Sequence, residues 1–127
     1  MKNIIFFALM LLGTLSYAQK LDCSKFKNGK FGAAAFPDEY VVRKDSIQNS
    51  YMNGKVETVW TLKWLSECKV EAVCIKNFGA QNVEVGDRFI SEIFDIYDDC
   101  CTVTMLYFNK ENPNGIDFTR GYCLLKE

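Results

Sequence analysis

Residues 56–65 set the tightest limit on the fold, because Trp60, Leu62 and Trp64 recur at every second position while Thr61 and Lys63 fill the places between. A two-residue repeat of this kind puts one set of side chains on each face of an extended strand, and it describes a half-buried antiparallel strand rather than a helix. The same alternation returns at Cys68, Val70, Ala72 and Cys74, with Lys69 and Glu71 between them. Turn-forming residues punctuate these runs. Asn53-Gly54 is the strongest hairpin signal, since Asn-Gly accepts the positive φ angles of a type I′ turn. Asp98-Asp99 and Asn112-Pro113-Asn114-Gly115 mark two further reversals.

Between these signals the sequence predicts strands over residues 26–36, 40–48, 56–65, 68–75, 88–97, 101–108 and 116–125, with a bend at Asn28-Gly29 in the first. Sequential strands joined by short turns make an antiparallel meander of about seven or eight strands, and closure of the meander removes exposed edges. The expected fold class is therefore all-β, as a small lipocalin-like barrel, with a two-sheet sandwich as the alternative.

Residues 1–18 read as a secretory signal peptide. Lys2 supplies the charged start, an apolar run over 4–15 is too short to span a bilayer, and Ser16-Tyr17-Ala18 offers a small-x-small cleavage pattern. Residues 19–127 are then a single domain, secreted or periplasmic. They hold no later apolar stretch of membrane-spanning length, so no membrane span is expected. A formal net charge of −1 recommends no charged partner, and nothing in it points to nucleic acid.

All six cysteines, Cys23, Cys68, Cys74, Cys100, Cys101 and Cys123, lie beyond the cleavage site. An even set in an exported small domain implies disulfides. With no histidine and no C-x-x-C pair, zinc is not expected, and neither is any cofactor. Adjacent strand residues face opposite ways, so Cys100 and Cys101 should find different partners. Matching Phe108 to Ile116 across the last loop sets Leu106 against Phe118 and Cys101 against Cys123. Cys74 is then the expected mate of Cys100, which leaves Cys23 with Cys68.

Absence of histidine also removes the commonest general base and every Ser-His or Cys-His pair, so no enzyme is expected. Asp87, Glu92, Asp95, Asp98 and Asp99 fit no EF-hand spacing, and turn chemistry accounts for the last two. Lys25, Lys27 and Lys30 interleave with Phe26 and Phe31 as outward and inward residues of any edge strand would. Trp60, Leu62, Trp64, Phe89 and Phe118 are the candidate lining of an apolar ligand cavity. The expected function is a non-enzymatic binding module for a small apolar molecule. The alternative is a structural or protein-interaction domain of the cell envelope with a filled core.

Three stretches carry a resemblance: Cys23-Ser24-Lys25-Phe26-Lys27-Asn28-Gly29-Lys30-Phe31, Arg43-Lys44-Asp45-Ser46-Ile47-Gln48, and Trp64-Leu65-Ser66-Glu67-Cys68-Lys69. Together they resemble a family of short secreted proteins of unknown function from Bacteroidetes-type bacteria. The first and third each supply one cysteine, which supports the Cys23–Cys68 pair. A second likeness, at the level of fold, is to lipocalins, where a Gly-x-aromatic of the first strand packs beneath an arginine of the last. Gly29-Lys30-Phe31 and Arg120 would take those parts.

Overall fold

A computed structural model describes residues 21–126, so the signal peptide read over 1–18 lies outside the described residues. A short 3-10 turn, Ser24–Phe26, leads into eight strands: β1 (Gly29–Gly32), β2 (Glu39–Lys44), β3 (Ile47–Met52), β4 (Lys55–Ser66), β5 (Lys69–Asn77), β6 (Arg88–Tyr97), β7 (Cys100–Phe108) and β8 (Ile116–Leu124). Each pairs antiparallel with the next, and β8 returns to β1 to close a barrel. The all-β meander and its closure agree with the alternation in the sequence. Asn53 at φ +52° and Gly54 at φ +77° form the expected β3–β4 turn.

The segment 40–48 is two strands, not one. The chain reverses at Asp45-Ser46, where Asp45 adopts φ +58° and its N–H donates to Asn28 Oδ1 at 2.8 Å. No glycine or proline marks this turn; aspartate reaches the left-handed region because its short polar side chain tolerates it. Strand β4 bends through irregularities against both β3 and β5, which lets one long strand follow the curve of the wall.

The interior holds two buried clusters. One joins Cys23, Phe26, Phe31, Ile93, Cys101 and Val103; the other joins Trp60, Leu62, Val70, Ala72, Cys74 and Phe89. Met105 packs against both. The first cluster lies at the end of the barrel where the turns are tight and the 3-10 segment folds across. Lysines pin that segment down. Lys25 donates to the Asp98 carbonyl, and Lys27 pairs with Glu67 at 3.1 Å. The second cluster lies toward the end carrying the longer connections over 33–38, 78–87 and 109–115.

Two disulfides are formed, Cys23–Cys68 and Cys100–Cys123. The first agrees with the sequence reading; the other two expected pairs, Cys101–Cys123 and Cys74–Cys100, are corrected. The β7–β8 ladder starts at Tyr107 opposite Ile116, so Met105 faces Phe118 and Cys100 faces Cys123. The shift of one residue arises in the loop. Asn109 and Asn112 bond each other through backbone and side chain, and Gly115 at φ +90° turns the chain so tightly that a Cβ there would sit 2.7 Å from Leu106 Cδ1. A slip of one residue moves every side chain to the other face. Cys101 therefore points inward beside Tyr122, and Cys74 lies in the other cluster. Both are buried free thiols.

Candidate functional site

Trp60, Leu62 and Phe89 come together as the sequence expects, since Trp60 and Leu62 share the inner face of β4 and Phe89 stands opposite Ala72 across β5–β6. The Trp60 ring lies 5.1 Å from Phe89 and 6.4 Å from Tyr107. Rings at these separations pack directly on one another across the barrel. Trp64 packs at the margin of the cluster, while Phe118 stands apart on β8, opposite Met105 and 37% exposed.

Polar groups inside this half are matched in pairs. Trp60 Nε1 donates to Thr58 Oγ1 at 2.8 Å, and the Tyr107 hydroxyl donates to Asp87 Oδ2 at 2.9 Å. Burial, with the Asp87 carboxylate beside it, pushes the Tyr107 phenol well above its ordinary range. Burial likewise raises the Cys74 and Cys101 thiols. A raised thiol holds less of the thiolate, which is the nucleophilic form, at neutral pH.

The other half is organised around Arg43, which is 5% exposed. Its Nε donates to Gln48 Oε1 at 2.8 Å, and its Nη1 donates to the Phe26 carbonyl at 2.9 Å and to the Tyr122 hydroxyl at 3.3 Å. The guanidinium also lies 5.3 Å from the Phe31 ring and 5.5 Å from the Tyr122 ring. Among the described residues it makes no ion pair. Burial pushes the Tyr122 phenol up to about 12 despite this cation. The arginine over Phe31 is thus Arg43 of β2, whereas Arg120 of β8 lies over Phe118 at 5.4 Å. Arg43 was legible only as the first residue of the stretch through Gln48; the hairpin that joins those two ends gives the pair its sense.

The two hollows that stand out on the described surface lie among the longer connections. One, of about 350 Å³, is lined by Glu84, Asp87, Arg88, Phe108 and Lys110, and the other, of about 250 Å³, by Phe36, Pro37, Glu39 and Met52. The Trp60 cluster borders neither.

Strand β8 is the unusual element. Ile116, Phe118 and Arg120 stand opposite Tyr107, Met105 and Val103, which places them on the inner face, and yet all three are exposed. The wall beside them is open, because β1 meets β8 only at Phe31–Leu124 and Gly32–Cys123. Beyond Gly32 the chain turns away. Phe36 N–H donates to the Ala33 carbonyl at 3.0 Å, and Glu39 N–H donates to the Phe36 carbonyl at 3.1 Å. The two disulfides suit an oxidising compartment outside the cytoplasm. No helix among the described residues is long and apolar enough to cross a membrane. No protein-family model, curated protein or solved structure matches this chain.

Proposed function

We propose that this chain is an exported, non-enzymatic interaction domain of the cell envelope that works through its surface, its interior being given over to packing. The observation that carries this reading is a contrast along the inner face of the barrel wall. Trp60, Leu62 and Phe89 are packed ring on ring with their polar neighbours bonded, while Ile116, Phe118 and Arg120 of the adjoining wall stand exposed. Small-molecule sites are mostly preformed concavities lined by apolar groups, and Trp60 already makes the contacts such a ligand would need. Exposed apolar side chains beside an open sheet edge are instead the mark of a polypeptide contact.

The test is tryptophan fluorescence of the protein titrated with a panel of fatty acids, sterols, retinoids and aromatic compounds. A flat response from Trp60 and Trp64 across the panel is expected. A saturable, one-to-one change with any of them would overturn the reading in favour of a module for a small apolar ligand.

A further inference from the structure

The hydrogen-bonding direction along β8 defines what can dock there. The N–H of Leu124 donates to the Asp99 carbonyl at 2.7 Å, on the β7 side, and the N–H of Leu125 donates to the Lys30 carbonyl at 2.8 Å, on the β1 side. The β7–β8 ladder runs without a register shift, so odd-numbered residues aim their backbone groups toward β1 along the whole strand. Cys123 meets β1 there. Asp117, Thr119 and Gly121 have no backbone partner on that side among the described residues.

The open window runs from Ile116, where β8 begins, to Tyr122, the last residue before the β1 ladder, and its centre is Thr119. It carries no proline and no bulge, two of the guards that keep an edge from pairing, and its charged residues are Asp117 and Arg120. We propose that this window pairs with the same window of a second copy, antiparallel about a two-fold axis at Thr119. The proposal rests on the interaction-domain reading and names its partner.

The register follows from the chemistry. Odd-numbered residues must face odd-numbered residues, because only those present free donors and acceptors to the edge; an axis on any residue meets this condition, and the choices differ in the length of the ladder they allow. An axis at Asp117 drives the second strand past Gly115 into the β7–β8 loop, and one at Gly121 drives it into β1. Thr119, at the centre of the window, allows the longest ladder. Asp117 then exchanges both backbone bonds with the second copy's Gly121, and Thr119 with its own equivalent, giving about six hydrogen bonds across the axis. On the inner face Phe118 comes opposite the second copy's Arg120, and Ile116 opposite its Tyr122. Arg120 makes no ion pair among the described residues and already lies over its own Phe118 at 5.4 Å; this register brings the second copy's Phe118 beside it as well and keeps like charges from facing each other. A two-fold contact of this kind is isologous and closed, so it stops at a dimer.

Sedimentation equilibrium of the disulfide-bonded protein, from about 1 µM to about 1 mM, should show a monomer–dimer equilibrium in the range where small interfaces associate. Thr119→Pro removes the central donor from the open side and leaves the β7 ladder intact; it should weaken the dimer at least about tenfold. Thr119→Val keeps the backbone and should dimerise as the wild type does. Amide exchange on the wild type makes the test independent of any variant's folding: the N–H groups of Asp117, Thr119 and Gly121 should be protected in concentrated samples and exchange freely on dilution. A monomer at every concentration overturns the pairing, as does a dimer indifferent to Thr119→Pro with unchanged exchange at those amides. Protection that appears only with an added envelope protein overturns it too, assigning the edge to a different strand. None of these results alters the fluorescence test of the packed interior.

Discussion

Arg43 is a buried cation held by geometry rather than by an opposing charge, and that makes its substitution series discriminating. Hydrogen bonds to a charged group contribute about 1.5–3 kcal/mol each, and the two rings add about 1 kcal/mol apiece. Against this stands a desolvation penalty of several kcal/mol for the guanidinium, which no carboxylate among the described residues offsets. If the charge itself were the asset, Arg43→Lys would be nearly silent. If the planar fork is the asset, a lysine in its place would keep the buried charge while losing the simultaneous reach to Gln48, Phe26 and Tyr122. Arg43→Lys should then cost about 2–4 kcal/mol, at least as much as Arg43→Met, which fills similar volume without a charge to desolvate. Arg43→Ala adds a void under Phe31 and should cost the most, about 3–5 kcal/mol. Urea unfolding followed by tryptophan fluorescence measures all three. An Arg43→Lys variant within about 0.5 kcal/mol of wild type would refute the reasoning, because differences that small are ordinary for surface sites that touch nothing.

Two further outcomes follow from the cysteines and tyrosines. Peptide mapping without reductant should recover Cys23 linked to Cys68 and Cys100 linked to Cys123, and a thiol reagent should label Cys74 and Cys101 only after denaturation, since both are buried and raised; labelling of either in the native protein at the rate of a small-molecule thiol contradicts the burial. Tyr122 keeps its proton in the folded state up to about 12, above the ordinary phenol value of 10.0, so between those values the folded state binds the proton that the unfolded state has lost. Stability should be intact below about pH 9, where the unfolded thiols of Cys74 and Cys101 begin to ionise, and Tyr122 should remove roughly 2–3 kcal/mol more as pH rises from about 10 through about 12, with Tyr107, raised in the same direction, steepening the loss. Denaturant midpoints measured across that range check it, and Tyr122→Phe should flatten the slope.

The architecture was legible because strand signals are local. Alternation around Trp60 and turn chemistry at Asn53-Gly54 each need only a few neighbouring residues, and both appear in the structure where the sequence put them. What failed depended on single residues whose effect is not local. Asp45 makes a hairpin turn without glycine or proline, so alternation alone runs β2 and β3 together. The loop before Gly115 consumes one more residue of β7 than simple matching allows, and that slip reassigned Cys100, Cys101 and Cys74 together. Trp60, Leu62 and Phe89 meet because their faces follow from alternation alone. Phe118 faces the same way but lies beside a gap, and no pattern in β8 reveals that β1 departs at Ala33.

The placement of the covalent links follows from that gap. A barrel closed by two residue pairs has its weakest ladder between β1 and β8, and local opening starts where backbone pairing is shortest. Both disulfides bear on that seam. Cys100–Cys123 ties β8 to β7 at the residue that meets Gly32, and Cys23–Cys68 anchors the segment leading into β1 to the turn between β4 and β5. Cys123 cannot leave the wall and Phe26 cannot leave the end, so β1 is held from both directions although it contributes only four residues. The remainder of β8 is held on one side alone. The same two links that make a short closing ladder sufficient therefore leave the window at Thr119 open without endangering the fold.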